Sequence, residues 1–190
     1  MSKLVLASMS PRRQELMKRM GFNFTVVPSK IDEEKYIDLS PVEMVQQLAE
    51  AKALEVAGLV EDTVVIAADT IVLYNGKILG KPQDQQQAFK TLKKLQGDKH
   101  TVITGISVCN TDNKIVTDYD QTEVFMRSIS EKEIRGYVTT GEPMDKAGAY
   151  GIQGLGGIFV ERIKGSYFTV MGLPIHKLVL MLKKFEVEVF

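Results

Sequence analysis

Residues 63–79 read TVVIAADTIVLYNGKIL, and this stretch decides the class of fold. The continuous apolar run from Thr63 to Ala68 is typical of a strand that is covered on both faces of a sheet. The rest predicts a hairpin, with strands at 71–74 and 77–79 joined by the two-residue turn Asn75-Gly76. Because a strand covered on both faces needs other elements packed against it, the stretch indicates an α/β protein.

Helix and strand patterns alternate on both sides of this stretch. Ser10 followed by Pro11, and the capping box at residues 40–43, mark the beginnings of two helices upstream. The sequence therefore predicts an α/β fold around a mixed, strongly twisted sheet flanked by helices. The other predicted strands are 4–7, 22–27, 100–109 and 114–125 with a turn at 111–113, and the other predicted helices begin after Asp84, after Ser130 and at Pro174.

The composition limits the class of protein. The 190 residues fit one domain or two closely joined lobes. Basic and acidic residues number 24 each, which argues against a nucleic-acid or membrane partner held by bulk charge. Cys109 is the sole cysteine, and the apolar run near the N-terminus is too short for a signal peptide or a membrane span. We therefore expect a cytoplasmic location.

A first candidate site lies at Ser8-Met9-Ser10-Pro11-Arg12-Arg13. Arg12 and Arg13 fall in the first turn of a predicted helix, where the helix dipole disfavours positive charge. The free N–H groups of a helix N-terminus, together with hydroxyl and guanidinium groups, can bind a phosphate. The alternative is that one or both arginines are solvated surface charges.

Asp69 is a second candidate, because it directly follows the buried apolar run. A carboxylate at the end of a buried strand is costly without a partner or a metal, and α/β folds place ligands at such strand ends. Asp69 could therefore hold Mg²⁺ or activate a water molecule, with capping of a turn as the alternative. One carboxylate of the acidic run 32–34 could complete a metal site with Asp69, although such runs usually form a solvated face.

Two lysines and a glutamine complete the candidates. Lys52 lies on the apolar stripe of a predicted helix and is expected to point inward, unless its ammonium snorkels to water. Lys81 follows the hairpin in a turn before Pro82, where it could meet a phosphate or simply face solvent. Gln153 lies in the glycine-rich segment 145–154, and its amide could pair with the edge of a base. The alternative for that segment is a loop with structural turns only.

Other familiar sites are excluded. Residues 76–82 are one residue short of a phosphate-binding P-loop, and Pro82 replaces the required Ser or Thr. Residues 151–157 do not fit the dinucleotide-binding fingerprint. His100 and His176 lack metal-ligand spacing and Cys109 lacks a catalytic context, so we interpret these three residues as structural.

Taken in this order, the segments resemble the Maf family of nucleotide pyrophosphatases over nearly the whole chain. Each segment alone is weakly specific, but the ordered combination is highly specific. The resemblance rests on residues 6–13, Glu33, Lys52, Ala68-Asp69-Thr70, Gly80-Lys81-Pro82, residues 144–154 and residues 170–174.

The resemblance implies a fold related to inosine triphosphatases, with an elongated sheet and a cleft between two lobes, in one domain covering residues 1–190. It implies hydrolysis of the α–β phosphoanhydride of nucleoside triphosphates with a divalent cation, Mg²⁺ or Mn²⁺. By position, Asp69 would be the general base and would hold the metal together with Glu33. A homodimer would be usual for the family. The residues around the triphosphate would be Ser8, Arg12, Arg13, Lys52 and Lys81. Of these, Lys52 and Lys81 would be catalytic together with Asp69, because with the metal they would polarise the phosphorus.

The resemblance also bears on the base. Where this chain has Arg12, Thr70 and Gln153, the branch of the family that prefers 7-methyl-GTP typically carries Trp, Gln and Glu. The chain lacks the negative charge that would answer a cationic purine, and Gln153 can instead pair with the O4 and N3–H edge of uracil or thymine. We predict dTTP and UTP as preferred substrates, with 5-substituted or isomerised uridine triphosphates as further candidates.

Two other classes of function are considered. The family has been linked to septum formation and division arrest, so a non-catalytic nucleotide sensor is the main alternative. Such a sensor would bind nucleotide without releasing pyrophosphate. A nucleotidyltransferase would need an acceptor site that the sequence does not show. Asp69 beside a full set of cationic side chains favours the enzyme.

Overall fold

The computed structural model describes residues 3–112 and 114–188. The strands in these ranges are β1 (Lys3–Leu6), β2 (Phe24–Val26), β3 (Thr63–Tyr74), β4 (Lys77–Leu79), β5 (Lys99–Asn110), β6 (Ile115–Met126) and β7 (Val160–Lys164). They form one sheet in the order β2-β1-β3-β5-β6-β7, and β4 pairs with β3 off this path. Pairing is parallel between β1 and both β2 and β3, and antiparallel in β3–β4 and β6–β7. The predicted mixed sheet is therefore confirmed.

Helices alternate with these strands, which confirms the predicted α/β class. Among the described residues, no helix combines the length and the apolar content that crossing a bilayer requires. The α-helices are α1 (Pro11–Arg19), α2 (Pro41–Ala57), α3 (Gln85–Leu95), α4 (Glu131–Val138), α5 (Tyr167–Met171) and α6 (Ile175–Lys183).

Local sequence signals explain where several of these elements begin. Ser40 and Ser130 begin α2 and α4 with capping boxes, as predicted. The side chain of Asp84 accepts a hydrogen bond from the backbone N–H of Gln87 at the start of α3. The hairpin turn Asn75-Gly76 has φ angles of 48° and 75°, and two positive values are what a two-residue hairpin turn of this kind requires.

Strand β3 is longer than the sequence predicts. The apolar run predicts a strand that ends at Ala68, whereas β3 continues without a break to Tyr74. Asp69 therefore lies in the middle of a strand, and the prediction that it lies at a strand end is wrong. The half-buried pair Asp69 and Thr70 interrupts a buried run, and a polar interruption of this kind cannot be distinguished from a strand end by pattern alone.

The glycine-rich part of the chain contains a strand, β7, and an α-helix, α5, that the sequence does not predict. Dense glycine indicates turns, which hides a short strand between them. β7 pairs antiparallel with β6, and the register shifts between Phe125 and Met126. Met1, Ser2 and Asn113, which the sequence analysis places at the N-terminus and in a turn, lie outside the described residues.

The chain divides into two compact units. Unit 1 comprises Met1–Asp69, Thr104–Asp120 and Gly172–Phe190, and unit 2 comprises Thr70–Ile103 and Gln121–Met171. The first boundary between them falls inside β3. That residues 1–190 form one domain, with a cleft between two lobes, stays a prediction.

In unit 1, α2 approaches β5 backbone to backbone. A Cβ atom added at Gly105 of β5 would lie 2.1 Å from the carbonyl oxygen of Val45 in α2, so the approach requires glycine. Because Lys52 also lies on α2, this contact sets the position of the helix that carries it. The buried residues of α2 are Val45, Leu48, Ala49, Ala53 and Val56.

Unit 2 has a core of its own, in which α3, α4, β6 and the glycine-rich segment supply buried side chains. The ring of Tyr137 packs edge-on against Phe159, with ring centroids 5.1 Å apart. Nε2 of the buried His100 lies 2.7 Å from the hydroxyl of Tyr150. Burial lowers the pKa of His100 to about 4, although Asp98 acts to raise it, so this histidine is neutral at physiological pH.

Candidate active site

Lys52 lies between two carboxylates in unit 1. Its Nζ atom is 2.6 Å from Oδ1 of Asp69 and 2.6 Å from Oε1 of Glu33. The side chains of Lys52 and Asp69 are 12% and 13% exposed, whereas that of Glu33 is 60% exposed. A lysine with so little exposure does not snorkel to solvent, so the three side chains form a charge cluster that opens toward solvent on the Glu33 side.

Three different elements supply this cluster. The middle of β3 supplies Asp69, α2 supplies Lys52, and the short 3₁₀ helix Glu33–Tyr36 supplies Glu33. The segment before that helix is tied to α2, because Oε2 of Glu55 accepts hydrogen bonds from Oγ of Ser29 at 2.5 Å and from N of Lys30 at 2.8 Å. The position of Glu33 is thereby linked to the helix that carries Lys52.

A second cluster of unit 1 lies where β1 leads into α1. Nη1 of Arg13 donates to Oγ of Ser8 at 3.1 Å, and Nε of Arg13 donates to the carbonyl oxygen of Gly172 at 2.8 Å. Oγ of Ser8 also accepts a hydrogen bond from the backbone N–H of Ser10 at 3.2 Å. These contacts hold the half-buried guanidinium in place, so Arg13 is not a freely solvated surface charge.

The two clusters of unit 1 influence each other electrostatically. Burial lowers the pKa of Arg13 from its ordinary value of 12.5, and the positive charge of Arg12 lowers it further. The negative charges of Asp69 and Glu33 act in the opposite direction. A guanidinium nevertheless stays protonated at physiological pH. Because Asp69 and Glu33 both affect Arg13, the structure brings Ser8, Arg12, Arg13, Glu33, Lys52 and Asp69 into one region of unit 1.

The remaining predicted site residues, Thr70, Lys81 and Gln153, belong to unit 2. Lys81 is exposed in the turn after β4, and the carbonyl oxygen of the preceding Gly80 accepts a hydrogen bond from N of Gly148 at 3.3 Å. This bond joins the Lys81 turn to the segment that leads to Gln153. The grouping of these residues with the unit 1 clusters stays a prediction.

The carboxylates of Glu33 and Asp69 fit a divalent cation. One oxygen of each carboxylate contacts the same positively charged atom, Nζ of Lys52, so the two carboxylates together favour positive charge at one point. Mg²⁺ and Mn²⁺ prefer oxygen ligands, and Mg²⁺ commonly binds one or two carboxylates together with water and substrate phosphates. In the described ranges no group of three or more His, Cys, Asp or Glu side chains could hold a metal. Water and phosphate oxygens would complete the coordination.

Cys109 and His176 have environments that differ from these clusters. Burial, with a smaller effect of Glu50, raises the pKa of Cys109 to about 11, so its reactive thiolate form is scarce at physiological pH. His176 is half-exposed, and its Nε2 atom lies 3.9 Å from Oδ2 of Asp120. The environment of Cys109 agrees with a structural interpretation, whereas the structural interpretation of His176 stays a prediction.

The side chains that bind the loop around Gln153, residues 151–156, are not among those predicted from the sequence. Tyr137 donates a hydrogen bond of 2.9 Å to Oε1 of Glu142, and both side chains also bond to the backbone of residues 151–156. The sequence does contain a signal for this contact, which is an acidic residue, Glu142, ahead of a glycine-rich run. Tight turns leave backbone N–H groups without partners in the turn, and these groups can donate hydrogen bonds to a carboxylate.

Comparison with known proteins finds a matching family and similar full-length sequences. The sequence model of the family described as Maf-like protein matches residues 3–185. A protein of Pelotomaculum thermopropionicum named dTTP/UTP pyrophosphatase is 47% identical over 190 residues. The alignment covers 100% of this chain and 100% of that protein. A Bacillus pumilus protein of the same name is 48% identical over 190 residues, again with 100% of each chain covered.

A solved structure from Mycobacterium abscessus, described as Nucleoside-triphosphatase / dITP/XTP pyrophosphatase, is similar with a TM-score of 0.46 and 13% identity. The similarity covers 96% of this chain and 97% of that chain. So distant a similarity carries no conclusion about the substrate. The family match, in contrast, spans nearly the whole chain, and the sequence relatives match it from end to end. The chain therefore belongs to the Maf-like protein family.

Proposed function

We propose that the chain is a nucleoside triphosphate pyrophosphatase that hydrolyses the α–β phosphoanhydride of dTTP and UTP to the nucleoside monophosphate and pyrophosphate. The observation that carries the proposal is the convergence of Glu33 and Asp69 on Lys52, in the same region as the Arg13–Ser8 pair. The sequence relatives named dTTP/UTP pyrophosphatase support both the reaction and the pyrimidine substrates.

The cationic residues are assigned to the triphosphate. This group brings about four negative charges, so its site must supply opposing charge. Arg13 and the hydroxyl of Ser8 are already oriented by their mutual hydrogen bond, which lowers the entropic cost of binding phosphate. Lys52 also limits the repulsion between phosphate and the two carboxylates it contacts. Arg12 and Lys81 supply the remaining positive charge.

Glu33 and Asp69 would hold Mg²⁺ or Mn²⁺ together with phosphate oxygens. When bound, the cation makes phosphorus more electrophilic and offsets the charge that develops on the leaving pyrophosphate.

Asp69 is assigned as the general base. It accepts the proton of a water molecule that attacks the α–β anhydride, the phosphorus–oxygen bond breaks, and pyrophosphate leaves. The central place of Asp69 in β3 suits this role, because β3 lies between β1 and β5 in the sheet and is held on both sides. A base on a rigid element keeps its distance to the substrate more precisely than a base on a loop.

Product analysis tests the reaction. With UTP and Mg²⁺ or Mn²⁺, we expect UMP and pyrophosphate in equal amounts, because the assigned groups act on the α–β bond. Ion-exchange chromatography of the nucleotides and an enzymatic pyrophosphate assay measure both products. UDP with orthophosphate would overturn the pyrophosphatase assignment, and nucleotide binding without turnover would instead support the non-catalytic sensor.

Gln153 is assigned to the base, and Thr70 and Arg12 are assigned to the selection of the base. The amide of Gln153 offers a donor beside an acceptor, and uracil and thymine present the complementary O4 and N3–H. Thr70 is small and leaves room for the base, and Arg12 carries no negative charge that would select a cationic purine. The proposal therefore includes preference for dTTP and UTP, extends to 5-substituted or isomerised uridine triphosphates, and implies weak activity on ATP and GTP.

Substitution Gln153→Glu tests this preference. A carboxylate cannot donate to O4, so loss of the paired hydrogen bonds, at roughly 1–3 kcal/mol, should lower kcat/KM for UTP by about one to two orders of magnitude. Steady-state kinetics with UTP and ATP give the measurement. Gln86→Glu, an exposed glutamine of α3 in the same unit, is the matched control and should change kcat/KM little. A wild-type profile led by purine triphosphates would contradict the base assignment but not the bond assignment.

The proposal includes a cellular setting. We place the enzyme in the cytoplasm, where it would remove unwanted pyrimidine triphosphates from the nucleotide pool, and we include a link to cell-division arrest. A homodimer, which would be usual for the family, is part of the proposal and is measured by the mass of the protein in solution.

A further inference from the structure

Glu142 is surrounded by hydrogen-bond donors of unit 2. Its Oε1 atom accepts from the hydroxyl of Tyr137 at 2.9 Å and from N of Gly156 at 3.0 Å, and its Oε2 atom accepts from N of Leu155 at 2.8 Å. Burial acts to raise the pKa of Glu142, and the bonds from Gly156, Leu155 and Tyr137 outweigh it, so the pKa is lowered. The half-buried carboxylate is thus ionised and accepts three hydrogen bonds from neutral donors, and the charge of Lys146 also lowers its pKa.

The backbone N–H groups that donate hydrogen bonds to Glu142 and Tyr137 lie on both sides of Gln153 in the chain. The hydroxyl of Tyr137 accepts a hydrogen bond of 3.3 Å from N of Gly151, two residues before Gln153. Glu142 binds Leu155 and Gly156, two and three residues after Gln153. A single Tyr137–Glu142 pair therefore holds both ends of the loop 151–156.

The loop lies so close to this pair that side chains would not fit at its glycines. A Cβ atom at Gly154 would lie 2.6 Å from both carboxylate oxygens of Glu142, and one at Gly156 would lie 2.6 Å from the hydroxyl of Tyr137. A Cβ atom at Gly151 would lie 3.4 Å from Nε2 of Gln153, so the amide group of Gln153 lies beside the backbone that Tyr137 binds.

We propose that Glu142 and Tyr137 are positioning residues for base selection, because they fix the loop that carries Gln153. The inference rests on the proposed role of Gln153 in reading the base. Neither residue is assigned a contact with the substrate. Hydrogen bonds to a base discriminate only when their donors and acceptors are held to a fraction of an ångström, and supporting side chains provide that precision. Loosening the loop should therefore reduce selectivity between bases more than it reduces cleavage.

Two substitutions remove parts of this support. Glu142→Gln replaces one acceptor oxygen by an NH₂ group that faces backbone or hydroxyl donors. Tyr137→Phe removes the hydroxyl alone and keeps the ring that packs against Phe159. We expect each to lower the ratio of kcat/KM for UTP to that for ATP about tenfold, since a bond that orients Gln153 is lost. The fold-change in kcat for UTP should be smaller than the fold-change in this selectivity ratio.

Controls separate positioning from stability and from the role of Gln153. Glu123→Gln alters another half-buried carboxylate of unit 2, which accepts a bond from Lys99 at 2.7 Å, and should leave the selectivity ratio within about twofold of the wild type. Gln153→Ala should lower the ratio by itself. Adding Glu142→Gln to Gln153→Ala should then produce no further loss, because residues that act through one another are not additive.

Three results are informative. Lower selectivity in both single variants, with no further loss in the double variant, supports the inference. If Gln153→Ala lowers selectivity while Tyr137→Phe and Glu142→Gln change only the melting temperature, the inference is wrong and the role of Gln153 stands. If Gln153→Ala leaves selectivity unchanged, the base-reading role is wrong and the inference fails with it. Tyr137→Phe, the milder change, decides the question if Glu142→Gln does not fold.

Discussion

Substitution of Asp69 by asparagine is expected to lower turnover of UTP by about 10²-fold or more while the fold is retained. An amide has the size of the carboxylate and can still accept the hydrogen bond from Lys52, but it cannot take a proton from water. Lys52 also keeps its second partner, because Glu33 contacts the same Nζ atom at 2.6 Å. The measurement is kcat by pyrophosphate release, together with the thermal unfolding curve of each variant.

A matched control separates loss of the base from loss of an ion pair. Oδ2 of Asp118 accepts a hydrogen bond of 2.6 Å from Nζ of Lys177, also in unit 1, and Asp118→Asn should leave turnover nearly unchanged. Near-normal turnover in a folded Asp69→Asn variant would move the base role elsewhere, with Glu33 as the next candidate.

Substitution Gly105→Ala is expected to destabilise the protein by about 3 kcal/mol or more, at the upper end of the cost of overpacking. The added methyl group would lie 2.1 Å from the carbonyl oxygen of Val45 and 2.9 Å from N of Gln46, and backbone atoms cannot rotate away. For a chain of this size, such a loss lowers the melting temperature by roughly 6–12 °C. Because α2 must shift to relieve the clash, kcat/KM should fall as well, since Lys52 lies on that helix.

Gly136→Ala is the matched control, because the same substitution at this site is expected to raise stability rather than lower it. Gly136 lies inside α4, and apart from its chain neighbours and the backbone of its own helix, a Cβ atom there meets no atom within 4 Å. Alanine favours helix over glycine by about 0.8–1 kcal/mol, so this variant should be slightly more stable than the wild type. Equal melting temperatures for the Gly105→Ala and Gly136→Ala variants would show that α2 and β5 are not in backbone contact.

Much of the fold could be predicted because local signals and tertiary structure agree. The capping boxes at Ser40 and Ser130 and the turn at Asn75-Gly76 act within a few residues, and the structure contains each of them. The middle of β3 could not be predicted in this way. Asp69 is tolerated inside a strand because Lys52, distant in sequence, pairs with it, and no local pattern encodes that contact.

The candidate site shows the same division between local and long-range information. Ser8 and Arg13 are five residues apart, and their contact follows from the turn that leads into α1. The convergence of Glu33, Lys52 and Asp69 depends on packing of three elements. The sequence indicated these residues and a pairing of Glu33 with Asp69, but not the position of Lys52 between the two carboxylates. A glycine inside a strand, such as Gly105, indicates close backbone approach, but it does not indicate which element approaches.

The burial of Cys109 makes the native chain a convenient background for site-specific labelling. This single thiol is shielded from reagents, and its raised pKa of about 11 keeps it protonated under the neutral conditions of maleimide coupling. A cysteine introduced at an exposed position would therefore take up a fluorophore or spin probe selectively, without prior removal of the native thiol. Distances within each unit could then be followed during nucleotide binding in an otherwise unaltered core.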